Sequence, residues 1–384
     1  SQGACFDEKL GWERPNWFAS SPELAHDEYS FGRQNWFDAV GEEHRAVRER
    51  VALFDQSSFA KYRVAGPDAA AALSWICANR VDAPVGAVVY TQMLNQRGGI
   101  ESDLTVTRVA EDEFYLVTGT GFATHDFDWI RRNIPADCDA RVDDVTSAWA
   151  VLSLMGPRAR DVLQALVRDD ISHGAFAFAT MRQLAIGGAV VRALRVSYVG
   201  ELGWELHVPV ECAAMVYQQL MAAGEAHGIV NAGYRAIESL RLEKAYRAWG
   251  ADIGPDHNPL QAGLGWAVDL NSGKDFIGRE AMLEQQQQPL ARSLASFTLA
   301  DRDIVLLGRE TIYRDGERVG WLSSAGWGYT LETNIGLGYV RNPAGVDRAY
   351  LESGSYELEV AGERHACELQ LQPLYDPGML KMKV

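Results

Sequence analysis

The spacing of apolar residues changes period repeatedly along most of the chain. Helical spacing predicts helices at Glu42–Val51, Pro67–Ala78, Ala123–Arg132, Pro157–Val167, Ala213–His227 and Arg235–Ala248. Alternation of apolar and polar residues predicts strands at Val88–Leu94, Ser102–Arg108, Glu113–Val117, Ala148–Met155, Gly188–Ser197 and Trp204–Val208. Strands that alternate with helices, often as hairpins, are typical of an α+β fold rather than a regular parallel sheet.

The two ends of the chain follow a different pattern. The aromatic stretch Gly11–Phe18 predicts an ordered arm packed on a domain. The polar run Gln285–Gln288 predicts a linker or an exposed loop, and thus a boundary between residues 1–284 and 285–384. Beyond it, short strands separated by turn residues predict a small all-β barrel or sandwich, at Leu294–Leu299, Glu310–Arg314, Arg318–Ser323 and Ser355–Val360.

Composition narrows the class of protein. The 384 residues carry a formal net charge of −16, which disfavours nucleic acid or an anionic membrane as a partner. No apolar run reaches the roughly 18 residues that span a bilayer. The 5 cysteines are scattered without any C-x-x-C pair, so neither a disulfide framework nor a metal site is expected. Free thiols suit a reducing compartment, so we expect the cytoplasm, or the mitochondrial matrix in a eukaryote.

Familiar cofactor motifs are incomplete. Gly119–Thr124 follows a strand and has two glycines of a dinucleotide-binding turn, but Thr124 replaces the third. Ser272–Asp275 lacks the glycine spacing of a phosphate-binding loop. The chain is therefore expected to be an enzyme without a flavin, nicotinamide or metal motif of its own.

A set of segments in a fixed order is more informative. These segments resemble the T-protein (aminomethyltransferase) family of the glycine cleavage system: Tyr90–Leu104, Ser197–Leu206, Gly233–Glu243 and Phe276–Ala281. Within that superfamily, Gly11–Phe18 and Pro373–Pro377 are similar to the folate-binding half of dimethylglycine and sarcosine dehydrogenases. The resemblance covers nearly the whole chain.

The resemblance implies a fold and a cofactor. The family fold is a cloverleaf of three subdomains around a central channel. Residues 1–284 would form two interleaved α+β subdomains that bind folate, and residues 285–384 the β-barrel. Tetrahydrofolate would lie in the channel with its pterin inside. Flavin adenine dinucleotide would belong to a preceding domain or to a partner subunit with oxidoreductase activity.

Asp103 is the candidate catalytic residue. It follows the Gly98-Gly99 turn in an otherwise apolar strand. A carboxylate in such a position is ordinarily a solvated strand-edge group, and the residues alone favour that interpretation. The resemblance favours catalysis, because the family's catalytic aspartate falls at this position. It would bind the hydrogen on folate N10 and stabilise a cationic intermediate.

Glu205 is the candidate pterin-binding residue. Alternation places it on the face of its strand opposite Trp204, where a lone glutamate is usually solvated. A pterin presents paired N–H donors, however, and one inward carboxylate can accept both. The match to the family favours the second interpretation.

The remaining cofactor-binding candidates also come from the resemblance. Tyr90 and Tyr198 would pack against the folate rings, or else be core tyrosines. Arg235 would pair with a glutamyl carboxylate of the folate tail, or else be a helix-surface charge. Trp266 resembles the channel tryptophan, although a core tryptophan is nearly as plausible on the sequence. Tyr375 is a weaker candidate from the C-terminal domain.

One position departs from the T-protein pattern. The T-protein places an asparagine that binds the pterin where this chain has Gly119. The contact would then pass to water or to backbone around Val117. The departure favours the demethylating dehydrogenases over a glycine cleavage partner.

The function implied is tetrahydrofolate-dependent transfer of one carbon from a small N-methylated amine, the imine of dimethylglycine or sarcosine, giving 5,10-methylenetetrahydrofolate. A free-standing folate-dependent O-, S- or N-demethylase that gives 5-methyltetrahydrofolate stays open as an alternative. A non-enzymatic folate-binding assembly factor for iron–sulfur proteins is disfavoured, because the segment Lys274–Glu280 has no cysteine.

Overall fold

A computed structural model describes residues 2–384. The helices are α1 Phe37–Glu49, α2 Ala69–Ile76, α3 Ala123–Asn133, α4 Ala159–Gln164, α5 Ala213–Gly224, α6 Tyr234–Glu243, α7 Arg279–Gln286 and α8 Arg348–Glu352. The strands before the C-terminal region are β1 Ala4–Lys9, β2 Trp12–Phe18, β3 Ala52–Asp55, β4 Ala60–Ala65, β5 Val88–Leu94, β6 Ile100–Ala110, β7 Glu113–Thr118, β8 Arg141–Asp144, β9 Trp149–Met155, β10 Met181–Ile186, β11 Ala189–Leu194, β12 Gly203–Pro209 and β13 Val230–Ala232. Those of the C-terminal region are β14 Arg292–Leu299, β15 Thr311–Arg314, β16 Glu317–Gly328, β17 Thr333–Arg341, β18 Tyr356–Val360 and β19 Glu363–Gln370.

The aromatic arm is an antiparallel hairpin of β1 and β2 that packs on the following domain, as predicted. Trp17 of β2 is 3% exposed and belongs to a core cluster with residues of α1 and α6. The buried carboxylate of Glu43 accepts hydrogen bonds from the backbone N–H groups of Phe18 and Gly233, which ties the arm to the start of α6.

Two antiparallel-rich sheets form the body of the protein. A five-stranded sheet has the order β5-β6-β7-β4-β8, and a six-stranded sheet has the order β10-β11-β12-β9-β3-β13. The outer face of the five-stranded sheet packs on α2 and α3, and that of the six-stranded sheet on α4 and α5. Helices α1 and α6 pack on the other face of the six-stranded sheet, at its β3 and β13 edge. The α+β prediction is confirmed.

The other two faces approach each other. The hydroxyl of Tyr115 on β7 hydrogen-bonds Nδ1 of His207 on β12 at 2.9 Å. A short bridge between Ala87 and Thr180 joins the segments next to β5 and β10. Polar side chains on the two inner faces therefore meet between the sheets.

The C-terminal region is a closed barrel in the order β14-β17-β16-β15-β18-β19, which confirms the all-β prediction. It is joined to the body through α6, because Leu242 packs with Ile335 and Leu337 of β17. The Glu243 carboxylate also accepts a hydrogen bond from the backbone N–H of Thr330 at 2.8 Å.

Two predicted secondary-structure assignments were wrong, while the division of the chain between residues 284 and 285 stays a prediction. The run Gln285–Gln288 is not a loop throughout, because α7 extends to Gln286 and the side chain of Gln285 donates to the Arg97 carbonyl at 2.8 Å. Helix α6 ends at Glu243 rather than Ala248, since Ala245 takes a positive φ of 51° that breaks the helix. Within residues 2–384, none of the helices combines the length and apolarity needed to cross a lipid bilayer.

Candidate functional site

The inner face of the five-stranded sheet carries a phenol, an amide and a carboxylate side by side. Gln92 on β5 is the register partner of Asp103 on β6, and the Tyr90 hydroxyl donates to Asp103 Oδ2 at 2.9 Å. These residues face inward because their neighbours Met93 and Leu104 fill the core on the other face. Strand alternation thus brings Tyr90 and Asp103 together, both half-buried.

Burial controls the charge of Asp103. Loss of water raises the pKa of this carboxyl from 3.8 to about 6, although the hydrogen bond from Tyr90 opposes the shift. The fully buried Asp126 raises the pKa further, and its carboxylate is held by the hydroxyls of Ser102, at 2.9 Å, and Thr118. In residues 2–384 no Lys, Arg or His nitrogen lies within 4.0 Å of the Asp103 carboxylate. A carboxyl group with a pKa of about 6 can accept and release a proton near neutral pH, so Asp103 is suited to proton transfer.

The inner face of the six-stranded sheet carries a second carboxylate. Glu205 on β12 is 9% exposed and lies opposite to Trp204, which is fully buried in the core. Its nearest ionisable neighbour is His207 on the same face, with Nε2 3.7 Å from Oε2, and burial lowers the pKa of this imidazole below its usual 6.5. Among the described residues, no donor makes a hydrogen bond to the Glu205 carboxylate. The Glu205 carboxylate is fixed between the sheets but has no hydrogen-bond partner in residues 2–384. A carboxylate that binds a ligand would have this arrangement before the ligand is present.

Other polar atoms near the two inner faces also lack partners within residues 2–384. Both side-chain amide atoms of Gln92 and Nε2 of His207 are buried without a hydrogen bond. Buried polar groups are ordinarily paired, so such groups mark a place for water or a ligand. A pterin, with paired N–H donors and ring acceptors, fits this set of an acceptor carboxylate, an amide and an imidazole.

Aromatic rings flank the same site. Trp266 stacks on Tyr90 with ring centroids 5.6 Å apart and is 70% exposed, so the alternative of a core tryptophan was wrong. Tyr198 stacks on Tyr246 at 5.8 Å, and its hydroxyl donates to the backbone carbonyl of Arg247 at 2.8 Å. Flat, partly accessible rings of this kind suit the conjugated rings of a folate.

The end of β7 is open where the T-protein pattern has asparagine. Val117 lies within β7 between β4 and β6, so its backbone is part of the sheet. Gly119 just beyond has an ordinary φ of −65°, and a Cβ added there would meet nothing within 4 Å. The space for a longer side chain is present. The contact that the sequence assigns to backbone near Val117 stays a prediction.

Two residues predicted to bind folate, Arg235 and Tyr375, lie away from the Tyr90–Asp103 pair. Arg235 pairs with the Asp27 carboxylate through Nη2, and its guanidinium lies 3.7 Å from the ring centroid of Trp36. It borders a cavity of about 320 Å³ between α1, α6 and the barrel. Tyr375 donates to Glu201 Oε1 at 2.6 Å and anchors the C-terminal segment. Among the described residues neither contacts the Tyr90–Asp103 pair, and their folate-binding roles stay predictions.

Sequence reasoning missed three residues of this region. Gln92 and His207 could have been found, since each lies two positions from a predicted residue on the same strand face. Nothing in the sequence pointed to Arg247, because the helix was predicted to run through it to Ala248, whereas α6 ends at Glu243 and leaves Arg247 in a loop. Within residues 2–384, no cluster of three or more His, Cys, Asp or Glu side chains could hold a metal ion.

Comparison with known proteins identifies the family. Residues 1–272 match the GCVT N-terminal domain, and residues 292–376 match the glycine cleavage T-protein C-terminal barrel domain. The chain belongs to the glycine cleavage T-protein family. The glycine cleavage system aminomethyltransferase T of Bartonella henselae superposes with a TM-score of 0.81 at 26% identity, over 98% of this chain and 95% of that one. The aminomethyltransferase-type cloverleaf expected from the sequence is confirmed.

Two of the curated relatives are much longer proteins. Mitochondrial sarcosine dehydrogenase of Homo sapiens is 38% identical over 422 residues, which cover 100% of this chain and 46% of that protein. Mitochondrial dimethylglycine dehydrogenase of Homo sapiens is 37% identical over 365 residues, 95% of this chain and 42% of that protein. The chain thus spans less than half the length of these relatives. It is an aminomethyltransferase-type, folate-dependent domain related to both dehydrogenases.

Proposed function

We propose that this domain transfers a one-carbon unit from the imine of an N-methylated amino acid to tetrahydrofolate, giving 5,10-methylenetetrahydrofolate. The observation that carries the proposal is the placement of two carboxylates of unequal environment on the facing sheets. Asp103 has a pKa of about 6 and a phenol partner, while Glu205 is buried without a hydrogen-bond partner in the described chain. The environment of Asp103 suits proton transfer, and that of Glu205 suits ligand binding.

The residues divide the work as follows. Glu205 accepts the paired N–H donors of the pterin and fixes its orientation. Tyr90 and Trp266 border the rings. Asp103, when ionised, would accept a proton from the accepting nitrogen and offset the positive charge of the imine carbon. The carbon–nitrogen bond of the imine would break as the bonds to folate form, and the demethylated amino acid would leave as an amine that takes up the hydrogens of the two folate nitrogens. When bound, tetrahydrofolate supplies the nucleophilic nitrogens that receive the carbon.

The amine is proposed from the relatives. Sarcosine and dimethylglycine are the substrates in the relatives' names, and each gives an imine when its N-methyl group is oxidised. The oxidation itself needs a flavin-dependent domain or subunit, as the sequence comparison implied. The demethylase alternative uses the same pocket and differs in its product, which would be 5-methyltetrahydrofolate.

The proposal is tested first by calorimetric titration of the chain with tetrahydrofolate. Micromolar-range binding is expected, and absence of binding at millimolar folate would contradict the proposal. Transfer is then followed with sarcosine labelled with ¹³C in its methyl group, an amine-oxidising flavoenzyme and tetrahydrofolate. Faster formation of labelled methylene-folate than with the Asp103→Asn chain is expected. Labelled methyl-folate instead would support the demethylase alternative.

A further inference from the structure

The guanidinium of Arg247 is only partly engaged. The loop after α6 directs Nε to the Ala262 carbonyl at 2.8 Å and Nη1 to the Ala245 carbonyl at 2.7 Å. Among residues 2–384, Nη2 has no hydrogen-bond acceptor, and no carboxylate lies within 4.0 Å of any guanidinium nitrogen. Two edges of the side chain are thus fixed by backbone, while one edge stays open.

Two more deeply buried arginines that pack near α6 have carboxylate partners. Arg48 pairs with Glu201 and Glu243, and Arg241 pairs with Asp252 at 2.8 Å. Arg247 is half-buried too, and burial lowers its pKa. The groups that act on its charge are tyrosine phenols and the carboxylate of Asp252, which is already paired with Arg241. A desolvated cation without a counter-ion is costly to hold. Within residues 2–384, the fixed Arg247 guanidinium therefore lacks the anion that would complete an ion pair.

The open edge lies at the candidate site. Tyr90 and Tyr198 are both close enough to Arg247 to influence its charge, and Tyr90 is the residue that binds Asp103. Nη2 faces Gly263, where any other residue would crowd it, since an added Cβ would lie 2.7 Å from that atom. The same loop continues to Trp266, which stacks on Tyr90.

We propose that Arg247 is a carboxylate-binding residue of the transfer site, and that its Nη2 edge receives the carboxylate of a bound ligand. The assignment rests on the proposed function, which brings two carboxylates to the site. One belongs to the amino-acid imine, and the other to the glutamyl tail of folate. Either would complete the ion pair through charge-assisted N–H···O bonds, which Arg forms more specifically than Lys.

Ligand pairs that differ by a carboxylate test this assignment. Sarcosine is compared with dimethylamine, with and without tetrahydrofolate present. Tetrahydrofolate is compared with its diamide, in which both glutamyl carboxylates are carboxamides. Each titration is run on the unaltered chain, Arg247→Gln and Arg247→Lys. Arg341→Gln is the control, since Arg341 stacks on Trp321 of the barrel. Tm is measured for every variant, because Arg247 also binds two backbone carbonyls.

The unaltered chain should prefer the carboxylate-bearing member of at least one pair, and Arg247→Gln should reduce that preference roughly tenfold or more. Arg247→Lys should restore part of it. Loss confined to the amine pair assigns the site to the carbon donor, and loss confined to the folate pair assigns it to the glutamyl tail. A preference that Arg247→Gln leaves intact, or no preference in either pair, would overturn the inference. Failure of the proposed function looks different, since neither folate compound would bind the unaltered chain.

Discussion

The two inner faces hold carboxylates in contrasting surroundings. On the five-stranded sheet, burial and the nearby Asp126 raise the pKa of Asp103 to about 6, although the Tyr90 phenol at 2.9 Å opposes the rise. On the six-stranded sheet, Glu205 has an imidazole at 3.7 Å and, in residues 2–384, no hydrogen bond. Both residues occupy paired positions without a register shift, so the difference comes from their neighbours. Environment can thus give two similar acids separate roles, one in proton transfer and one in binding.

The largest expected effect is on Asp103. Asp103→Asn keeps the size and the acceptor for Tyr90 but removes the carboxylate, so carbon transfer should fall roughly 10²- to 10⁴-fold. Calorimetric affinity for tetrahydrofolate should change only a few-fold. Asp112→Asn, in an exposed turn, is the matched control. Transfer by Asp103→Asn at the unaltered rate would remove Asp103 from the chemistry.

Glu205 should show the opposite behaviour. Glu205→Gln replaces one acceptor oxygen by a donor, so the paired N–H groups of a pterin lose a charge-assisted contact. Tetrahydrofolate affinity should fall about 10- to 100-fold by calorimetry, from a loss of roughly 1.5–3 kcal/mol. Glu211→Gln, exposed just beyond the same strand, should bind normally. Equal affinities for both variants would mean that the two sheets do not divide binding from catalysis.

The comparison also predicts a change in stability. Because the folded pKa of Asp103 is raised from 3.8 to about 6, its ionisation opposes folding. The penalty is absent below pH 3.8, grows up to about pH 6 and is fully present above that. Asp103→Asn should therefore raise the free energy of unfolding at pH 7.5 by roughly 1–3 kcal/mol, discounted for partial exposure. At pH 4 the two proteins should unfold alike in urea. A gain that is the same at both pH values would point to packing instead.

Several parts of this arrangement were accessible from the sequence. Strand β5 was predicted with both bounds correct, and alternation alone placed Glu205 on the face opposite to Trp204. Strand β17 was missed because Gly336 and Gly338 interrupt the apolar alternation. The barrel requires glycine there, since a Cβ on Gly336 would lie 2.5 Å from Leu322 Cδ1. Local pattern cannot show a requirement set by a neighbouring strand.

The site was predictable only in part for a related reason. Asp103 and Glu205 came from the resemblance to the family, and nothing in their spacing shows that their sheets face each other. Arg235 pairs with Asp27 across a long sequence separation, and within residues 2–384 Nη2 of Arg247 has no acceptor. Partners and missing partners are properties of the folded chain.

Substitution of Tyr90 tests whether neighbouring groups set the pKa of Asp103. Its hydrogen bond favours the ionised form of Asp103, so Tyr90→Phe should raise the pKa of that carboxyl further. The midpoint of the pH profile of carbon transfer should move to higher pH. Transfer at pH 6.5 should drop by a factor of roughly three to ten. Transfer well above the midpoint should be less affected. Tyr313→Phe, on the barrel, serves as the control, and an unshifted profile in Tyr90→Phe would contradict the role of the phenol.

The smallest expected effect comes from Gly119→Asn, which adds a side-chain amide at the open end of β7. Gly119→Asn should fold normally, with the free energy of unfolding within about 0.5 kcal/mol of the original, because φ is −65° and the added Cβ meets no atom within 4 Å. If Gly119 borders the pterin as the T-protein pattern implies, an added amide should tighten tetrahydrofolate binding about two- to fivefold. Gly174→Asn, in another open surface position, should leave affinity unchanged. Weaker binding by Gly119→Asn alone would mean that the open space is filled by the ligand itself. An unchanged affinity would place the pterin entirely against Glu205 and its sheet, so even this small effect separates the two faces.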